Sequence, residues 1–471
     1  MTLTKSKTIR RPIPLSLAPL AFSLSACGPS DEEPTISSNS SATSAYLDFP
    51  LTGNVFVDAS TQGSMWTPHD GVLTYAVSGG LNGEYWSEPN LVLQQLTLAM
   101  RQVEQLTNLQ VQSLGIFEDP IQAGESGATI VLTLDGSGVF FDSSSAWAMG
   151  FFPGSLIDEY ATANGDMYLN LNSELASMEP NAYLQGGKGF AILLHELGHA
   201  LGLKHPFDHA GGRPTYEEVG FGFYDDWRYA VMAYDDEFGD LLDAPGYFML
   251  GDALALMSLY GVNQTTNSGD DIHYFYDTSF KTTIWDSGGT DTIDLSACTK
   301  SSRVELTTNY SVADLGFEYG FVILDANAAH ARYNGIMGEF ENVICGSADD
   351  TIIGDENGNT LNGGGGNDEI YGWSGADVLI GGAGNDTLVG GTGNDILYGG
   401  GGADLFLIGL GHGSDIIKDF QLGLDDVRIY LDQNGNNPFQ STSQSADGYL
   451  VYELVDGTNI TLEGILYADL A

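Results

Sequence analysis

Gly381-Gly382-Ala383-Gly384-Asn385-Asp386-Thr387-Leu388-Val389 is one copy of a nine-residue pattern, G-G-x-G-x-D-x-U-x, in which U is a large apolar residue. Copies as clean begin at Gly363, Gly390 and Gly399, and the period holds seven times across residues 345–407. Of 62 glycines, 19 fall in that window, so the glycine excess is local. The glycines permit tight turns with unusual φ that expose backbone carbonyls, and the sixth-position acid completes an all-oxygen shell suited to a hard cation. The eighth position (Ile352, Leu361, Ile370, Leu379, Leu388, Leu397, Phe406) stays apolar and in phase, as a flexible Gly/Asn/Asp linker would not. The pattern predicts a parallel β-roll with an apolar stack inside, with turns on one side coming from alternate repeats. Asp350, Asp368, Asp386 and Asp404 should then line one edge, with Asn359, Asp377 and Asp395 along the other. The expected calcium ligands are Asp350, Asp368, Asp377, Asp386, Asp395 and Asp404. Cys345 replaces a glycine in the first copy and Asn359 an acid in the second, so calcium should be weaker or absent there.

Upstream, residues 51–262 read as an α+β domain. Val72 to Val77 alternates like a strand, and Ser87-Glu88-Pro89 supplies a capping hydroxyl, an acid and a first-turn proline. Val92, Leu96, Ala99, Val103 and Leu106 follow at helical spacing. Gly127–Leu134 and Gly165–Leu171 are further β runs, and Phe190–Leu201 is a second helix. That helix leads into His195-Glu196-Leu197-Gly198-His199-Ala200-Leu201-Gly202-Leu203-Lys204-His205. His195 and His199 project from one helix face and can share a zinc ion, with Glu196 beside them as general base. Gly202 can adopt φ > 0, ending the helix so that His205 returns as a third ligand. Three protein nitrogens leave an open position, the arrangement of a catalytic rather than a structural site. Downstream, Tyr229-Ala230-Val231-Met232-Ala233-Tyr234 places Met232 where metzincins carry a methionine turn, an apolar floor below the metal.

With these motifs the chain resembles the serralysins, secreted bacterial metzincins with a calcium-binding repeat domain. Pro206 follows the third histidine as in that family, and Met232-Ala233-Tyr234 matches its Met-x-Tyr turn. Asp252 to Gly261 resembles the helix closing its catalytic domain, Thr283 to Thr292 the entry to its β-domain, and Gly413 to Phe420 the segment after its repeats. The resemblance implies an α+β metzincin-type catalytic domain (51–262) followed by an all-β parallel β-roll and β-sandwich domain (263–471). It implies a zinc endopeptidase acting on proteins or peptides, with Tyr234 as a further zinc ligand that swings away and donates to the oxyanion. A calcium-dependent surface adhesin or scaffold with an inactive metzincin domain is the alternative; the intact Glu196 argues against it. The strip Ala146–Phe152 reads either as an edge strand pairing with extended substrate or as plain core.

The chain of 471 residues has 15 Lys+Arg against 63 Asp+Glu, a formal charge of −48. Such acidity disfavours nucleic acid and anionic membrane surfaces and favours cations. Residues 1–26 read as a signal peptide, with Lys5, Lys7, Arg10 and Arg11 before an apolar run from Leu15 to Leu24. Leu24-Ser25-Ala26-Cys27 resembles a lipobox, which would attach a lipid to Cys27 as the one membrane anchor; plain signal cleavage is the other reading. Residues 27–50 read as a flexible linker. The expected location is outside a bacterial cell, either secreted or anchored at the outer surface. Cys298 and Cys345 remain as either a disulfide or two thiols, and His69, His209, His273, His330 and His412 fall outside the motif.

Overall fold

The computed structural model describes residues 44–48, 55–68, 70–80, 82–135, 148–153, 165–170, 184–207, 213–215, 217–218, 229–233, 244–278, 281–306, 319–326, 331–430 and 438–466. The expected signal peptide, Cys27, Tyr234, His69, His209 and His330 lie outside these residues.

From the N-terminal side run β1 (Ser44–Asp48), α1 (Val55–Ser60), β2 (Ser64–Pro68), β3 (Val72–Ser78), α2 (Pro89–Leu106), β4 (Gln110–Phe117), α3 (Pro120–Glu125), β5 (Ile130–Asp135), β6 (Ala148–Gly150), β7 (Met167–Asn170), α4 (Lys188–Ala200) and α5 (Leu250–Tyr260). Strand β1 pairs antiparallel with β2, so the stretch read as linker gives way to structure at Ser44–Asp48. The physical reason is composition: Ser/Thr/Pro/Glu yields there to Ala45-Tyr46-Leu47, which suits a strand. A five-stranded sheet has the order β4-β3-β5-β7-β6. Its first four strands are parallel, and β6 is an antiparallel edge strand on β7. All six residues of β5 are buried, as expected of a central parallel strand covered on both faces. Helix α2 buries Leu96, Ala99, Met100, Val103 and Leu106. Its N-cap is Glu88 and makes no side-chain capping bond, so Ser87 is one residue too early for that role. Helix α4 is buried from Gly189 to Ala200, apolar all round except for the residues that carry chemistry.

The C-terminal half is a parallel β-roll between two long sheets of ten and nine strands. Alternate repeats feed opposite sheets. Ile352 stacks on Ile370, then Leu388, then Phe406 in one sheet. Leu361 stacks on Leu379, then Leu397, in the other. All seven are fully buried, so the in-phase apolar position is the core of the roll. One departure is Trp373, which occupies the position held by Gly364 and Gly382 in neighbouring turns and is 45% exposed. Its φ of 77° is left-handed, a cost of roughly 1–2 kcal/mol for a side chain that a glycine would avoid. Cys298 and Cys345 are free thiols, both buried in this core.

Because the stack has no slack, Leu388→Ala should lower the unfolding free energy by about 2–5 kcal/mol. Denaturant titration of the full chain checks this; a change well under 1 kcal/mol would mean the stack is not the core.

Candidate metal centre

The way α4 ends determines the metal centre. Leu203 N–H donates to Gly198 O at 2.8 Å and Gly202 N–H to His199 O at 2.9 Å, the paired bonds of a Schellman ending. Gly202 has φ 98°, and a Cβ there would stand 2.3 Å from the Ser64 carbonyl oxygen. The segment after α1 seals the same turn: Gln62 N–H donates to Gly202 O at 2.8 Å and Lys204 N–H to Ser60 O at 3.1 Å. Trp66 Nε1 and the Tyr260 hydroxyl donate to the last helical carbonyls, Ala200 O at 2.8 Å and Leu201 O at 2.7 Å. The chain is thereby reversed onto the helix, and His205 meets the two helical histidines.

His205 Nε2 lies 3.0 Å from His195 Nε2 and 3.0 Å from His199 Nε2. The outer nitrogens are engaged elsewhere: His195 Nδ1 bonds Val231 O at 2.9 Å and His199 Nδ1 bonds Leu203 O at 2.9 Å. A carbonyl can only accept, so each Nδ1 carries the proton and each Nε2 turns a lone pair inward. Burial holds both imidazoles neutral, lowering His195 to about 4 and His199 well below its ordinary value. Three imidazole nitrogens converging on one point fit a zinc ion, and His205 stacks on Phe207 at 4.9 Å.

Glu196 is buried one position on, where burial pushes its carboxyl up to about 8 against an opposing Gly150 hydrogen bond. That value belongs to the metal-free site; a cation nearby favours the carboxylate. Gly150 lies on β6, and a Cβ there would meet Glu196 O at 2.3 Å, so the edge strand lies against the metal helix. Met232 comes up under the site, where a Cβ on Gly198 would stand 2.3 Å from its Sδ. The turn carrying Met232 is tied to Asp252 at the start of α5, which accepts from Val231 N–H at 2.6 Å, Met249 N–H at 3.0 Å and Met232 N–H at 3.4 Å. Asp252 played no part in the sequence reading of the metal site. The available signal was one acid in an otherwise apolar helix.

The roll holds two columns of buried aspartates. Asp350 N–H donates to Asp368 Oδ1 at 2.7 Å, Asp368 N–H to Asp386 at 2.8 Å and Asp386 N–H to Asp404 at 3.0 Å. On the other side Asn359 N–H donates to Asp377 at 2.8 Å, Asp377 N–H to Asp395 at 2.9 Å and Asp395 N–H to Asp415 at 3.1 Å. In Asp368, Asp377, Asp386, Asp395, Asp404 and Asp415 the second oxygen, Oδ2, is buried with no hydrogen-bond partner. Asp350 differs, because Ser302 N–H and Oγ–H donate to one oxygen and Gly346 N–H to the other. Asp415 was missed since its offset is 20 residues rather than 18, although Asp415-Ile416-Ile417 keeps the acid-to-apolar spacing. A second unanticipated group gathers Asp271, Asp286 and Asp291, with His273 Nε2 2.9 Å from Asp286.

Residues 346–379 and 380–415 match the family model for the RTX calcium-binding nonapeptide repeat. The chain is 36% identical to a serralysin of Photorhabdus luminescens over 241 residues, 45% of this chain and 47% of the relative. It is 33% identical to serralysin C of Dickeya chrysanthemi over 226 residues, 44% of this chain and 43% of the relative. It is likewise 33% identical over 248 residues to the metalloprotease AprA of Pseudomonas entomophila, 48% of this chain and 47% of that protein.

Over that stretch the chain is similar to the serralysins.

The match spans about half the length of these curated relatives. The serralysin-like fold, a metzincin-type domain before a calcium-binding β-roll, is thus supported by likeness and by architecture together.

Gly198→Ala tests the support under this serralysin-like centre. The new methyl must displace Met232, and zinc retention against a chelator should fall at least several-fold in a chain that still folds. Unchanged retention would mean the methionine floor does not hold the ligands in place.

Proposed function

We propose that the chain is an exported zinc endopeptidase that cleaves peptide bonds in proteins and is stabilised by calcium in its β-roll. The observation that carries the reading is the convergence of three Nε2 atoms, those of buried His195 and His199 and half-buried His205, with buried Glu196 next to His195 in the chain. Held by His195, His199 and His205, zinc would supply Lewis acidity, lowering the pKa of a coordinated water toward about 7 and polarising a carbonyl. Glu196 takes the proton from the water that attacks the peptide carbonyl and hands it to the leaving amine. His195 and His199 stay neutral and fixed because each Nδ1–H is anchored on a carbonyl. β6, the edge strand of its sheet among the described residues and beside α4, is the strand on which an extended substrate would add. Tyr234 is proposed, by resemblance, to cap the resting metal and donate to the oxyanion. Met232 serves as the floor.

The orphaned Oδ2 atoms support calcium at Asp368, Asp377, Asp386, Asp395 and Asp404, and extend the proposal to Asp415. The saturated Asp350 contributes least. The signal peptide, the lipid on Cys27 and the choice between secretion and surface anchoring belong to this proposal too, resting on residues 1–27 alone.

Casein cleavage by residues 28–471, which keep β1 whole, in millimolar calcium, beside Glu196→Ala, tests the protease reading. Wild type should cut, while the variant should keep zinc and lose turnover. If neither cuts although zinc is bound, the scaffold alternative stands.

Calcium and pH should be linked with a definite sign. In the metal-free roll burial raises Asp368 and Asp377 to about 7, Asp386 to about 6 and Asp415 to about 8, from an ordinary value of 3.8. The folded state therefore holds protons that the unfolded chain releases, and that stabilisation is full below about pH 4 and lost as pH rises through 6–8. Calcium takes the ionised form, so its affinity should rise over the same range. In calorimetric melts, the calcium-free roll transition should fall between pH 5 and pH 8 and calcium should abolish the fall. A calcium-free transition that rises with pH would contradict the assignment.

A further inference from the structure

The two helical histidines are each backed by a peptide group, and what stands behind those peptides differs. His195 Nδ1–H donates to the Val231 carbonyl, and the N–H of that same peptide unit belongs to Met232, which faces Asp252 Oδ1 at 3.4 Å. His199 Nδ1–H donates to the Leu203 carbonyl, and the N–H of that peptide unit belongs to Lys204, which donates to the Ser60 carbonyl at 3.1 Å. One chain of hydrogen bonds ends on a carboxylate, the other on a neutral amide.

We propose that Asp252 is a positioning residue for the metal ligand His195, acting through the Val231–Met232 peptide, so that one histidine has a charged backing and the other a neutral one. The inference rests on the zinc reading above and adds a residue that does not touch the metal.

The physical argument is polarisation. A negative group at the N–H end of an amide draws electron density toward its oxygen, making that carbonyl a stronger acceptor for Nδ1–H. A stronger bond at Nδ1 makes the opposite nitrogen a better donor to a metal, as a carboxylate bonded directly to a ligating histidine does. Here a peptide unit is interposed, and its planarity keeps the two bonds in line. The carboxylate is well fixed. It is 2% exposed, sits in the first turn of α5, where the helix end favours negative charge, and accepts from Val231 N–H at 2.6 Å and Met249 N–H at 3.0 Å. The same bonds tie α5 to the turn bearing Met232, so charge and position act on His195 by one route.

The test uses the full chain with Asp252→Asn at pH 8.5, above the value of about 7 to which burial raises the carboxyl. Chelator competition should show a zinc dissociation constant roughly 10–100-fold higher in the variant. Proton NMR of the zinc-loaded wild type, with 15N-labelled histidine, should place the His195 Nδ1–H further downfield than that of His199. In the variant the His195 resonance should move upfield and the His199 resonance stay. If wild type does not load zinc, the zinc reading itself fails. If it loads zinc and the variant binds as tightly, or binds more weakly with the His195 resonance unmoved, the relay is refuted while the zinc reading survives. Should the variant not fold, the wild-type spectrum decides alone, and coincident His195 and His199 resonances refute the proposal.

Discussion

A polar acceptor atom held inside the fold organises both halves of this molecule. In the roll, six aspartates each give one oxygen to a backbone amide and keep the other buried and unpartnered. In α4, His195 and His199 each commit Nδ1 to a carbonyl and turn Nε2 inward. An unpaired buried acceptor is costly, and a carboxylate more so, unless a cation takes the remaining lone pair. Folding and cation binding are therefore one equilibrium in the roll. At the histidines the cost is smaller, since neutral imidazoles tolerate burial, and the three nitrogens can wait for a metal inside a rigid frame.

Periodicity and short-range spacing made much of this legible in the sequence. Nine-residue phasing dictates which side chains stack, and Leu361, Leu379 and Leu397 follow it register by register. An interval of four residues on a helix places His195 and His199 on one face, and a glycine at 202 permits the reversal toward His205. These are local rules, and local rules survive in a single sequence. Contacts between distant segments do not. Nothing in the spacing of Ser60, Gln62 and Ser64 says that they will seal the turn at Gly202, about 140 residues on. Nor does any motif say that Asp252 will reach back 20 residues to the turn bearing Met232. Asp415 escaped for a simpler reason: two extra residues break the 18-residue offset while the stacking geometry absorbs them.

The same contrast explains the tether. Composition averaged over residues 27–50 is that of a flexible segment, whereas strand pairing responds to the few residues that meet a partner. Tyr46 pairs in register with Trp66, whose indole donates to the carbonyl ending α4. A segment that composition assigns to solvent thus ends in a strand that pairs with the one supporting the metal site.

Precision at the metal site is consequently borrowed from remote chain. The helix carries two of the proposed ligands and the proposed general base, yet the proposed third ligand depends on a turn sealed by the segment between α1 and β2, and the floor depends on α5. Gly198 and Gly202 matter for what they omit: a methyl at the first would strike Met232, and one at the second would strike the Ser64 carbonyl. Small residues at these two points let the floor and the N-terminal segment each come up against the motif. The spacing HExxHxxGxxH is then a packing rule as much as a ligand rule. Its histidines can converge only because the positions between them leave room for parts of the chain that the motif does not contain.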